Sequence, residues 1–204
     1  ASGRGLRLLA VAHAGHDQAE WLEDPRDYRF EWLGFVALAD PLRAEVPDAI
    51  AQCRRAGVRV VMITGDYPGT ALAIARQAGL SIEGGALTGS EIAEMSGDAL
   101  AGAVRRVNVF ARIRPEQKLR IVAALKAAGE IVGMTGDGVN DAPALKAAHI
   151  GVAMGRRGTD VAREAAALVL LEDDFQSIVA AIRLGRRIYE NIRNAMRYII
   201  AVHV

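Results

Sequence analysis

From residue 44 onward the apolar positions follow two alternating rhythms. Across residues 44–56, Val46, Ala49, Ile50 and Cys53 recur at i, i+3, i+4 and i+7, which is one face of a helix. Pro47 suits its first turn, and Gly57 suits the left-handed residue beyond its end. Residues 58–63 are a β-branched run of strand length, stopped by Thr64-Gly65-Asp66. The alternation continues with a helix over 67–78 closed by Gly79, a strand over 107–110, and a helix over 115–128 that starts at Pro115 and ends before Gly129. A strand over 130–134, a helix over 141–148, a strand over 150–154, a helix over 159–166 and a strand over 167–171 complete the series. Residues 81–98 are richer in Gly, Ser and Glu and are expected to form an elaborated connection.

Strands alternating with short helices imply right-handed βαβ units and a parallel sheet. The strands are apolar throughout, as expected when helices cover both faces. The expected fold class is α/β, a doubly wound parallel sheet over residues 34–175. The flanks differ. Residues 1–33 hold an apolar run over 6–12, which reads as a strand, and a polar segment with both tryptophans, Trp21 and Trp32. After Glu172-Asp173-Asp174 a helical pattern runs from Phe175 to the end. Its first part is amphipathic, its middle carries Arg183, Arg186, Arg187, Arg193 and Arg197, and residues 198–204 are uncharged when His203 is neutral. A bilayer needs about 20 apolar residues, so the segment does not span by itself. A basic stretch running into an apolar one resembles a helix entering a membrane from the cytoplasm.

Composition narrows the class. At 51% apolar and 24% charged over 204 residues, the chain is neither disordered, collagen-like nor disulfide-stapled. A net charge of +1 offers no overall electrostatic case for nucleic acid. Cys53 lies on the apolar helix face and reads as core, in keeping with a reducing compartment. His13 and His16 are three apart with no third ligand nearby, and His149 and His203 stand alone, so no histidine reads as a metal ligand. The acidic run 172–174 favours the positive end of the long helix. The N-terminus has neither initiator Met nor signal pattern, the C-terminus stops inside an apolar run, and both ends are expected to be cut.

The candidate chemistry sits at the C-terminal ends of the predicted strands, where open α/β sheets place their sites. In Thr64-Gly65-Asp66 the hydroxyl and backbone N–H groups suit a phosphoryl oxygen, and an ordinary turn capped by Asp66 is the structural alternative. In residues 135–141, Asp137 and Asp141 flank Asn140, an oxygen-rich loop suited to Mg²⁺, against the alternative of a Gly-rich turn with Asp141 as helix cap. Lys118, preceded by Arg112 and Arg114, is a point cation able to neutralise a phosphoryl group, or else a solvated helix residue.

Taken in order, these segments resemble the haloacid dehalogenase superfamily and, more closely, the phosphorylation domain of P-type cation-transporting ATPases. Asp40-Pro41-Leu42-Arg43 resembles that family's Asp-Pro-x-Arg segment. Residues 63–66 are similar to its second motif, and Phe110-Ala111-Arg112 through Lys118 to its lysine motif. Residues 134–146, Met-Thr-Gly-Asp-Gly-Val-Asn-Asp-Ala-Pro-Ala-Leu-Lys, are similar to its hinge motif residue for residue. The stretch from Gly185 resembles the stalk leading to the fifth membrane helix, and the Asp-Pro-x-Arg segment with residues 198–204 looks most like calcium-pump relatives.

The resemblance implies catalytic roles for Thr64, Lys118, Asp137 and Asp141, with Asp137 holding Mg²⁺. It implies nucleotide or phosphate contacts for Arg7, Thr64, Gly65, Asp66, Arg112, Lys118 and Asn140. The implied cofactors and partners are Mg²⁺, ATP, a transported cation with calcium first, the other domains of the same pump, and the membrane through the C-terminal helix. It divides the chain into residues 1–33, the tail of a nucleotide-binding domain; 34–175, the phosphorylation domain; and 176–204, the stalk. The segment would lie on the cytoplasmic face of a multi-pass membrane protein. The family's nucleophile segment, Asp-Lys-Thr-Gly-Thr, does not occur here, nor does the Asp-x-Asp of related phosphatases or the actuator domain's Thr-Gly-Glu loop. The sheet is therefore expected to lack its nucleophile strand, and the chain alone to be inactive. The rival readings are a non-catalytic Mg-nucleotide-binding or partner-binding fragment and a Mg²⁺-dependent phosphatase.

Overall fold

The computed structural model describes residues 7–15, 21–38 and 41–203, apart from the side chains of Arg7 and His203. Strands β1 (Arg7–His13) and β2 (Glu31–Leu38) form an antiparallel hairpin with Leu9 opposite Val36 and an irregularity between Val11 and Ala12. His13 Nε2 lies 3.3 Å from the Glu31 carboxylate across the ladder. Residue 34, where the expected phosphorylation domain begins, lies within β2. His16 and Asp40 lie outside the described residues.

The body of the chain is α/β, as expected. Its elements are α1 (Val46–Arg55), β3 (Met62–Ile63), α2 (Pro68–Gln77), β4 (Ala86–Thr88), α3 (Gly89–Glu94), α4 (Gly97–Ala103), β5 (Val109–Ala111) and α5 (Pro115–Ala127). They continue with β6 (Gly133–Gly136), α6 (Ala142–Ala147), β7 (Ile150–Met154), α7 (Asp160–Ala165), β8 (Leu168–Leu170) and α8 (Phe175–His203). All pairings after the hairpin are parallel, in two three-stranded sheets ordered β3-β5-β4 and β6-β7-β8. The expected elaborated connection holds β4, α3 and the start of α4.

The difference from one continuous sheet has a backbone cause. Met62 and Thr64 donate their N–H groups to Asn108 and Phe110 at 2.8 and 2.9 Å. Alternate residues of a parallel strand face opposite neighbours, so Val61 and Ile63 turn their backbone groups away from β5. By the same rule Ile150 donates to Val132 at 3.2 Å, and Gly133 and Thr135 turn theirs away from β7. Among the described residues neither edge has a strand partner. The expected strand over 58–63 is accordingly reduced to Met62–Ile63, the one expected over 130–134 begins later and runs on as Gly133–Gly136, and Ile131 is 79% exposed within an apolar run.

One buried cluster nonetheless spans both halves. Phe110 and Ile113 from the first meet Ile121, Val122 and Leu125 of α5 and Met134, Leu145 and Ala153 of the second. Helix α5 is thus the shared wall of the two sheets. Helix α8 docks only at its root, where Phe175, Val179 and Ile182 pack against Ala49 and Cys53 of α1. Arg183 Nη2 donates to Gln52 Oε1 at 2.7 Å, and Arg186 reaches the Ala56 carbonyl. From residue 183 to residue 202 the helix is exposed. Among the described residues no helix is long and apolar enough to cross a membrane.

Candidate functional site

The loops after β3 and β5 are joined by backbone bonds: Arg112 donates to the Asp66 carbonyl at 2.9 Å, and Ile113 to the Thr64 carbonyl at 3.0 Å. Within the first loop Thr64 Oγ1 donates to Asp66 Oδ2 at 2.9 Å and accepts from the Asp66 N–H at 3.1 Å. This ring holds the hydroxyl in place at the end of β3, with Gly65 and Asp66 exposed. Arg112 has φ 54, a conformation disfavoured for any residue with a Cβ, and its guanidinium lies 4.6 Å from the Tyr67 ring centroid. Strain of that kind persists only where surrounding contacts hold it, and it clusters at ligand sites.

Helix α5 carries Lys118 to the second half. Its Nζ donates to Asp141 Oδ1 at 2.5 Å, and the pair is largely enclosed, with side-chain exposures of 22% and 8%. Lys118 is therefore not the solvated helix residue of the alternative reading. The second oxygen of Asp141 accepts from the Gly138 N–H at 3.3 Å. Gly136 makes room for this arrangement, because a Cβ there would stand 2.5 Å from the Asp141 Cβ. The Asp137 carbonyl accepts from the Thr159 N–H at 2.8 Å. Its carboxylate is exposed and has no hydrogen bond or ion pair among the described residues, and Asn140 is exposed beside it.

The sequence-predicted residues thus fall into two groups. Thr64, Gly65, Asp66 and Arg112 assemble at the end of one sheet, and Lys118, Asp137, Asn140 and Asp141 at the end of the other. Among the described residues no hydrogen bond or ion pair joins the Thr64–Asp66 loop to residues 137–141. The Arg7 side chain lies outside the described residues. No group of three or more acidic, His or Cys side chains able to hold a metal occurs among them either, so Asp137 is a single uncommitted carboxylate. That donor suits Mg²⁺, which takes one or two carboxylates and completes its shell with phosphate oxygens and water.

Sequence reasoning missed Asp173. It is 8% exposed, and its carboxylate accepts the N–H groups of Gly155, Arg156 and Arg157 at 2.6, 3.0 and 2.7 Å. Burial pushes this carboxyl upward, but the three N–H donors and the Arg157 charge outweigh it and hold it below the ordinary range. The acidic run divides three ways. Asp174 caps α8 through the Ser177 N–H, Glu172 pairs with Arg156, and Asp173 enters the loop. The available signal was three acids where one cap suffices, set against the short Gly155-Arg-Arg-Gly158 segment.

Known proteins of similar sequence carry the same segment. The chain is 45% identical over 201 residues to a calcium-transporting ATPase 1 of Bacillus cereus, covering 98% of this chain and 23% of that protein. It is 47% identical over 205 residues to a calcium-transporting ATPase of Bacillus subtilis, covering all of this chain and 23% of the relative. A solved zinc-transporting PIB-type ATPase in its E2.Pi state superposes with a TM-score of 0.61 at 36% identity, over 82% of this chain and 23% of that one. The chain therefore spans about a quarter of the length of the relatives it matches. The profile of the haloacid dehalogenase-like hydrolases matches residues 4–149, well over half of the sequence. With parallel sheets, Thr-Gly-Asp loops at two strand ends and a lysine–aspartate pair beside the second, the chain belongs to the haloacid dehalogenase-like hydrolase family.

Proposed function

We propose that the chain is the phosphoryl-transfer segment of a longer P-type ATPase that moves cations across a membrane. The observation that carries this reading is the pair of half-sites built on one core. Two of the edge strands that lack a partner among the described residues, β3 and β6, lead into Thr64-Gly65-Asp66 and Thr135-Gly136-Asp137 over one shared core. A strand supplied from upstream would fill the gap and carry its own carboxylate to the same end, where ATP would phosphorylate it. Thr64 Oγ1, held by Asp66, and the Gly65 and Asp66 N–H groups would bind the phosphoryl oxygens. Lys118, already engaged with Asp141, would offset the charge that develops on transfer and on hydrolysis of the acylphosphate. Arg112 and Arg7 would contact nucleotide, with Asn140 on the phosphate. Asp137 is the residue to hold Mg²⁺, which when bound neutralises phosphate charge.

In the parent, residues 1–33 would close a nucleotide-binding domain, residues 34–175 would form the phosphorylation domain, and α8 would lead toward a membrane helix from the cytoplasmic side. Calcium is the proposed cargo, on the names of the sequence relatives. The zinc-transporting structural neighbour shares the fold and therefore does not select the ion. The test is acid-quenched incubation with Mg²⁺ and γ-labelled ATP. The chain alone is expected to take no label, and adding the upstream segment to give hydroxylamine-sensitive label that Asp137→Ala abolishes. Label on the chain alone would identify a different nucleophile and overturn the reading.

A further inference from the structure

Asp173 sits one residue before the cap of α8, yet its bonds run away from that helix. Its carboxylate occupies the backbone nest of Gly155, Arg156 and Arg157. Its own φ is 51, a conformation that a residue with a Cβ holds only when its surroundings over-determine it. Its carbonyl accepts from Arg43 Nη1 at 3.0 Å, a link to the segment before α1. The same nest loop is gripped from its other side, where Arg163 Nη1 donates to the carbonyls of Gly155 and Gly158 at 2.9 and 2.6 Å. Gly158 has no room for a side chain, because a Cβ there would collide with the Met154 carbonyl. The next residue, Thr159, donates its N–H to the Asp137 carbonyl. A cavity of about 480 Å³ between α1 and α8 does not touch this chain of bonds, whereas a smaller cavity of about 220 Å³ is lined by Arg43, Asp137, Arg157 and Asp173 together.

We propose that Asp173 is a positioning residue that ties the root of α8, through residues 155–159, to the backbone of Asp137. Its carboxylate is committed to the three N–H groups of residues 155–157; it fixes where the Asp137 loop stands relative to α8. Any displacement of the α8 root is then felt at Asp137, and the reverse. For its consequence in turnover this inference rests on the phosphoryl-transfer reading, but the hydrogen-bond chain itself does not.

Two measurements separate them. In the 204-residue chain, Asp173→Asn is expected to raise amide exchange at 155–157 and at Thr159 by about tenfold or more, with 109–111 in the core unchanged. Glu172→Gln, which breaks only the exposed pair with Arg156, is the control and is expected to change neither. If Asp173→Asn loses its cooperative melt, Arg43→Gln takes its place and is expected to raise exchange at Thr159 by a smaller factor. Faster exchange confined to 155–157, with Thr159 still protected, would overturn the proposal. So would faster exchange spread evenly over the whole chain. In the longer protein, Asp173→Asn is expected to raise the Mg²⁺ concentration for half-maximal phosphorylation several-fold and leave the ATP concentration for half-maximal phosphorylation unchanged. Equal rises in both would mark a merely structural loss. A wild-type protein that takes no label would sink the phosphoryl-transfer reading while the exchange result still decides the role of Asp173.

Discussion

At the scale of single residues, the Lys118–Asp141 pair shows how one enclosed contact ties helix α5 to the loop after β6. Asp141 is nearly buried, so removing its partner leaves a charge without compensation. Lys118→Ala is expected to lower unfolding free energy by about 3–5 kcal/mol in urea melts, since an unpaired buried charge costs that order. Lys118→Met with Asp141→Asn should recover most of the loss, because a neutral packed pair carries no desolvation debt. A Lys118→Ala chain as stable as the parent would mean that water reaches Asp141. Asp173 sets a pH dependence. Its carboxyl lies below the ordinary range when folded, so the stabilisation is full above about pH 4, the unfolded value. It is lost as pH falls through the lower folded value, because the unfolded chain then binds the proton more readily. In acid titrations followed by circular dichroism, Asp173→Asn should therefore show a shallower fall in stability below about pH 4 than the parent.

Among elements, helices were more legible in the sequence than strands. The helices around Ile50, Ala71 and Ile121 announce themselves by period and by the Pro and Gly at their ends, and α1, α2 and α5 follow within a few residues. Strand extents depend on what lies alongside, which a single chain does not encode. The runs 58–63 and 130–134 have strand composition, but only the part facing β5 or β7 forms a ladder. The residues of the candidate site were legible because they cluster at strand ends, whereas the nest that receives Asp173 depends on two segments meeting in space. The α1–α8 contact is small and easily probed. Val179 is 7% exposed against Ala49 and Cys53, and Val179→Ala should cost about 2 kcal/mol of local docking. Burial raises the Cys53 thiol as well, so alkylation of Cys53 should be slow in the parent and faster in Val179→Ala. Equal rates would place the opening of Cys53 elsewhere than at the helix contact.

For the molecule as a whole, the strand edges that lack partners among the described residues, β3 and β6 included, and the exposed apolar side chains of the hairpin are templates for association. The isolated chain is expected to self-associate in the micromolar range, read as a concentration-dependent mass in sedimentation, and to melt at a modest temperature. A monomer with a cooperative melt well above ordinary temperatures would show that the edges are closed within the chain. The helix that leaves this body has a mechanical character of its own. Helix α8 is 29 residues long, and its apolar packing against the body ends near Ile182. At 1.5 Å per residue, roughly 30 Å of rigid rod projects beyond that fulcrum. A tilt of about 10° at the root, well within what small side-chain shifts produce at helix contacts, would carry the far end about 5 Å, close to one full helical turn. The body can thus remain nearly still while the tip travels, and the gearing is set by where the packing stops.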